Sequence, residues 1–330
     1  MGRLRRLALP ADLFPAARRR TEDSTYLTFP EWYIVYSTEE YARWVQTNPP
    51  SGFPFFRSIG QYWCGYSAVY QLTRDRYPLN VGNHLMLVVI GSSYTVEYGL
   101  KGAYENTIGR LTEWLSDGGD TAEDRFATAV AGDYGAFLNQ VPWYKYPFDM
   151  HLRELWSQTG GWGRHPVRKW ERKVVLSAEY AGKAGYGWLM GIASGAVYDA
   201  DATHVLGLAQ DLSLGDAASE GSVRLERQVD ARTALLLLPR FTAFGDTLLQ
   251  LPPGQGRLLA IAGNDEILIT AIAPREWSYD APDGDPVFEQ VLLTDPARKR
   301  VAISLPVVAL LDTLQTLRAQ GITIEHIYDY

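Results

Sequence analysis

The chain has 330 residues, 31 basic against 38 acidic, and a net charge of −7. That length divides into about two domains, long enough to bury a real core. The acidic balance argues against nucleic-acid binding, which needs Lys and Arg density to displace counterions, and the single cysteine, Cys64, leaves no intrachain disulfide and no thiol-based metal site.

Arg3, Arg5, Arg6, Arg18, Arg19 and Arg20 all fall within the first 20 residues, opposed only by Asp12. This segment carries +5, so the rest of the chain carries −12. A basic arm over residues 1–20 is expected to meet an anionic lipid surface on the cytoplasmic face. Its apolar run, Leu7 to Leu9, is broken by Pro10 and is too short for a secretory signal.

Residues 21–210 are expected to form an aromatic-rich helical, membrane-associated domain, because nine of ten Trp and seventeen of twenty Tyr precede residue 200. Thr38 is placed to cap a helix from Glu39 through Trp44, and Ser51 to Phe56 reads as an aromatic turn. The clearest helix runs from about His84 to Leu115, with Leu100, Tyr104, Ile108, Leu111 and Leu115 on one apolar face. Glu97, Lys101 and Glu105 stand four apart on another face, where each carboxylate reaches the central ammonium. Gly118 and Gly119 stop this helix, and Thr121 to Leu138 forms the next. Pro142 to Phe148 reads as an aromatic loop, with Trp143 and Tyr144 at a membrane surface. Pro166 opens a helix whose Arg168, Lys169, Arg172 and Lys173 precede an uncharged aromatic segment, a pattern suited to a surface anchor.

Two stripes of small residues suggest close helix packing. Gly187, Gly191 and Gly195 recur every fourth residue, as do Gly91, Thr95 and Gly99, and the two faces are expected to meet. The uncharged stretches Ser58–Thr73, Tyr77–Val96 and Ala184–Tyr198 are poor single spans, which favours partial embedding.

Residues 211–222, rich in Asp, Ser, Gly and Ala, read as a linker. Beyond it, over 223–330, six β-rich runs follow: Arg232–Leu238, Arg257–Ile261, Ile267–Ile272, Phe288–Leu293, Val301–Leu305 and Ile322–Tyr328. Helices over Thr242–Leu251 and Pro306–Gln320 interrupt them. The expected fold class is therefore α+β, an aromatic-rich helical N-terminal domain with a C-terminal ferredoxin-like α/β sandwich. No internal repeat is visible.

No catalytic motif, cofactor fingerprint or metal-ligand spacing is present among the five histidines, the serines or the glycines. The chemistry that stands out is ionic. Glu97, set among Tyr94, Tyr98 and Lys101, is a candidate functional charge together with Lys101 and Glu105, and Glu179 beside Lys183 is its expected counterpart on another helix.

Tyr26 to Ser37 (YLTFPEWYIVYS), Tyr104 to Trp114 (YENTIGRLTEW) and Pro142 to Phe148 (PWYKYPF) resemble segments of a bacterial membrane-associated protein family that brings no activity with it. The resemblance implies location. The function expected is that of an accessory or structural subunit of a larger membrane complex, respiratory or photosynthetic, with integral membrane subunits and anionic lipid as partners and without cofactor or nucleic acid. The alternatives are a membrane-associated enzyme acting on a lipid or quinone, with His84, Glu97, Lys101 and Glu179 around a pocket, and a soluble two-domain ligand-binding protein.

Overall fold

A computed structural model describes residues 13–139, 141, 143–194, 203–212, 223–251, 254 and 256–330, without the side chains of 190–194. Arg3, Arg5, Arg6, Gly195, the surroundings of Gly191 and positions 213–222 of the expected linker lie outside the described residues. The fold is mixed, with helices in the N-terminal half and two antiparallel four-stranded sheets in the C-terminal half. It forms two compact units that do not run consecutively: a strand unit from the described parts of Met1–Pro30, Trp63–Val88 and Ala200–Tyr330, and a helical unit from Glu31–Tyr62 and Val89–Asp199.

The strands are β1 His204–Gln210, β2 Arg224–Gln228, β3 Thr233–Pro239, β4 Arg257–Ile261, β5 Glu266–Pro274, β6 Asp285–Val291, β7 Arg298–Pro306 and β8 Thr323–Ile327. One sheet has the order β2-β3-β1-β4 and the other β6-β7-β5-β8. Both follow one plan, three strands, a helix and a fourth strand beside the first. The intervening helices occupy Thr242–Gln250 and Leu310–Ala319. Even the irregularities correspond: β1/β4 slips between Leu208 and Ala209, and β5/β8 between Thr270 and Ala271. Likewise β2/β3 slips between Leu225 and Arg227, and β6/β7 between Pro286 and Phe288. The strand half is thus an internal structural duplication of two four-stranded sheets, where six strands suggest a ferredoxin-like sandwich with an added hairpin. Val205, Leu236, Leu238, Ile269, Ile303 and Leu305 belong to one core shared by both copies. The turn joining the copies places Ala262 (φ 52°) and Gly263 (φ 88°) in the left-handed region, as a tight hairpin turn requires.

The end of the basic arm is not a free tail. Leu13 and Phe14 are buried against Leu206, Leu208 and Leu235, the Arg19 Nε donates to the Phe14 carbonyl, and the Arg20 amide donates to the Ala262 carbonyl. Arg18 to Arg20 therefore follow an anchored segment. Thr25, in a short helix α1 (Ser24–Leu27), accepts from the Leu268 amide at 3.0 Å and donates to the Tyr328 carbonyl at 2.7 Å.

His326 on β8 is buried, and desolvation holds its imidazole down at about 3, against an ordinary 6.5. The unfolded chain therefore takes up a proton here that the folded chain refuses. Stability is expected to fall as pH drops from 6.5 toward 3, by at most about 5 kcal/mol from this group. Denaturant titrations at stepped pH check it: His326→Gln should flatten that slope, and an unchanged slope would assign the acid sensitivity elsewhere.

The helical unit draws on α2 Phe29–Trp44, α3 Phe55–Arg74, α4 Val81–Tyr104, α5 Arg110–Leu115, α6 Ala122–Leu138, α7 Phe148–Gln158 and α8 Pro166–Ser194. Helix α2 starts ten residues before the expected one, and Thr38 lies inside it, its hydroxyl donating to the Ile34 carbonyl. A π turn, Glu105–Gly109, joins α4 to α5, so the expected long helix is continuous but locally widened. Thr121 caps α6 in a reciprocal capping box with Asp124.

Tyrosines and tryptophans part company here. Tyr33, Tyr62, Tyr94 and Tyr98 are buried, and the hydroxyls of Tyr33, Tyr94 and Tyr98 are tied through Ser37 and Ser58, with Ser58 Oγ and Ser37 Oγ each 2.7 Å from the Tyr94 hydroxyl. Trp114, Trp156, Trp162, Trp170 and Trp188 are exposed. The tyrosine enrichment is therefore largely core, and five of the tryptophans join leucines, valines and other apolar residues on the surface.

Candidate functional site

Helix α8 reverses the usual distribution of a surface helix. All seven of its charged residues, Arg168, Lys169, Glu171, Arg172, Lys173, Glu179 and Lys183, are buried or half-buried, while every exposed residue from Pro166 to Leu189 is uncharged. The four cations expected at a membrane surface are instead interior. Arg168 Nη2 lies 3.0 Å from Asp124 Oδ1, and Arg172 Nη1 lies 2.7 Å from Glu105 Oε1. Lys169 Nζ and Lys173 Nζ converge on Glu123 at 2.7 and 3.4 Å, and Glu123 is completely buried. Asp124 joins Arg172 as well, at 3.2 Å. Burial opposes its ionisation, but Arg172 and Arg168 outweigh that and hold the carboxyl below its ordinary range.

The same face of α8 continues into a second ionic group. Lys101 Nζ is 3.2 Å from Glu179 Oε1, while Lys183 Nζ is 3.0 Å from that oxygen and 2.7 Å from Glu97 Oε1. Glu97, Lys101 and Glu105 thus reach across to α8, to Lys183, Glu179 and Arg172 respectively. With the Ser93 and Tyr186 hydroxyls 3.4 Å apart, the contacts between α4 and α8 run antiparallel through polar side chains. The described ends of the small-residue stripes serve other neighbours. A Cβ on Gly91 would collide with the Tyr62 ring, one on Gly187 would lie 3.2 Å from the Tyr144 carbonyl, and one on Gly99 would meet nothing within 4 Å. Thr95 donates to the Gly91 carbonyl. Trp143 and Tyr144 are half-buried, with Trp143 stacked on Tyr186 at 5.2 Å.

A cavity of about 50 Å³ lies beside the second group, lined by Glu97, Lys101, Glu179 and Lys183 with Tyr41, Tyr134, Tyr180, Phe148 and Arg172 among its walls. Lys101 Nζ sits 4.3 Å from the Tyr41 ring centre, and Lys183 Nζ 5.2 Å from that of Tyr134. Burial pushes the Glu179 carboxyl up, but the two lysines win and hold it well below the carboxylate range. Burial pushes the Lys101 ammonium down, and Glu179 and Tyr41 more than restore it. Glu179 and the two lysines meet as charges. His84 is not among them; its Nδ1 lies 3.2 Å from the Tyr66 hydroxyl.

Sequence reasoning named Glu97, Lys101, Glu105 and Glu179 but not the carboxylates Glu123 and Asp124, nor Glu113, whose Oε1 lies 3.4 Å from Arg168 Nη2, nor the phenols of Tyr41 and Tyr134. A signal was available: the charges of α8 cluster at 168–173 and recur at 179 and 183, a stripe that leaves the rest of the helix without charge. Comparison with protein-family models, with curated proteins and with solved structures finds no match.

Proposed function

We propose that this protein is a membrane-associated accessory subunit of a larger complex, its helical unit embedded so that lipid and integral membrane subunits cover the uncharged face of α8 and the face of α4 and α5 beside it. The observation that carries this reading is the reversal of α8. In water, charges belong outside and apolar residues inside; ionisable residues within a membrane face the protein interior and pair there, as these do. Leu100, Ile108, Leu111 and Leu115, which the spacing puts on one apolar face, are all more than half exposed. Exposed apolar side chains of this kind mark a docking face.

The spacing of the tryptophans supports the same reading. Trp170 and Trp188 are both exposed on α8, and 18 residues of helix separate them by about 27 Å. Hydrocarbon cores are about 30 Å thick and carry aromatic belts at both borders. No described helix is long and apolar enough to cross a membrane, so the support lies in where the charges point. The arginines of the arm add attraction to anionic lipid on the cytoplasmic face.

Fractionation tests the proposal. The protein is expected in the membrane fraction, only partly released by high salt, and in mild detergent together with integral membrane subunits, because apolar contact is not screened by ions. Recovery as a monodisperse soluble monomer without detergent would refute it.

A further inference from the structure

We propose that the cavity between α4 and α8 is a binding site for a small oxyanion, a carboxylate or phosphate group, that replaces Glu97 as the partner of Lys183. The inference goes beyond the subunit reading and stands on separate observations, in the interior of the helical unit.

Size comes first. On the measure by which one water needs about 10 to 15 Å³, a cavity of about 50 Å³ holds roughly four waters, or one compact group of four or five non-hydrogen atoms. Acetate, bicarbonate and phosphate have that size. A lipid tail or a nucleotide base does not fit.

The lining supplies hydrogen-bond donors in excess. Tyr41, Tyr134 and Tyr180 all border the cavity, and among the described residues none of their hydroxyls has a protein hydrogen-bond partner. A phenol next to an ammonium is a donor awaiting an acceptor. Lys101 makes one ionic contact, to Glu179, and Lys183 makes two, to Glu179 and Glu97. Each ammonium has three protons to donate, so a donor remains on both. Arg172 also borders the space, but Glu105 and Asp124 occupy it.

Charge balance identifies what leaves. Glu179 is one carboxylate shared by two ammoniums, which leaves one positive charge for a second anion. Glu97 fills that place, yet its side chain is 43% exposed, against 22% for Glu179 and 16% for Lys183. It is the solvent-side member of the group and the one whose ionised form loses least on returning to water. An incoming carboxylate or phosphate would take over Lys183 and gain the phenols, which Glu97 is not hydrogen-bonded to.

Calorimetric titration of the full chain in mild detergent with sodium acetate, inorganic phosphate and a short-chain phosphatidic acid tests this, with sodium chloride as the ionic-strength control. Wild type is expected to bind one of the oxyanions at millimolar concentration. Glu97→Gln, which removes the internal competitor, should bind it at least tenfold more tightly. Tyr134→Phe, which removes one donor and keeps the ring, should weaken binding several-fold, and Lys183→Gln should abolish it. Tighter binding of the short-chain phosphatidic acid than of inorganic phosphate assigns the site to a lipid headgroup, and the reverse assigns it to a free ion. Unchanged affinity in both Glu97→Gln and Tyr134→Phe, or no heat with any oxyanion, overturns the proposal. Membrane recovery of the same variants separates its failure from that of the subunit reading.

Discussion

Glu123→Leu is expected to destabilise the helical unit by about 3 to 5 kcal/mol, the range for breaking a buried ion pair by removing one partner. Glu123 is completely buried and, among the described residues, is the one carboxylate that Lys169 and Lys173 both contact; their ammoniums also donate to the backbone carbonyls of Thr159 and Gly160. Leucine fills the volume but leaves two ammoniums facing each other without a counter-charge. Against a typical total stability of about 5 to 15 kcal/mol, such a loss shifts most of the folding equilibrium. Glu123→Leu combined with Lys169→Met and Lys173→Met should recover most of it, since a well-packed apolar set often matches a buried ionic one. Denaturation followed by circular dichroism in mild detergent checks both. A single variant within 1 kcal/mol of wild type would mean that water reaches and solvates these ammoniums once the carboxylate is gone.

Val174→Lys is the complementary experiment on the outer face of α8. Val174 is 61% exposed. On a water-facing surface the change would alter stability by no more than about 0.5 kcal/mol. Against hydrocarbon, a lysine costs about 2.5 to 3.5 kcal/mol, roughly a hundredfold in partition. The expected result is a folded protein that has moved from the membrane fraction to the supernatant. If partition is unchanged while the helical content is retained, that face of α8 meets water.

The elements legible in the sequence are those where local pattern and burial agree. The helices at Thr121–Leu138 and Thr242–Leu251 and six of the strands were readable because caps, acidic first turns and apolar alternation act over a few residues. β1 escaped because His204–Gln210 continues directly from a stretch assigned to the helical domain. β2 escaped because Arg224–Gln228 is wholly exposed and carries no apolar alternation. Without these two, the repeated plan of the sheets could not be seen: the first copy was short of its first two strands, while all four of the second were legible.

The site divides in the same way. Glu97, Lys101 and Glu179 stood out because charges in an uncharged context attract notice at any range. Their partnership was misjudged in one respect. Spacing of four residues suggested that Glu97 and Glu105 pair with Lys101 along α4, whereas these three reach across to Lys183, Arg172 and Glu179 on α8, where burial makes each contact stronger. The cations of α8 were assigned to a surface because cationic stripes normally face water; only the positions of Glu105, Glu123 and Asp124, fixed by the tertiary fold, bring them inside.

The duplicated sheets have a consequence for assembly. β2 and β6 occupy equivalent outer edges, where unpaired amides and carbonyls would invite another chain to add a strand. Each edge is blunted by its own means, β2 by Arg224, Glu226 and Arg227, β6 by Pro286, and both by a bulge. Sheet growth at these two edges is thereby resisted in both copies, which guards the strand half against aggregation and leaves recognition of partners to side chains.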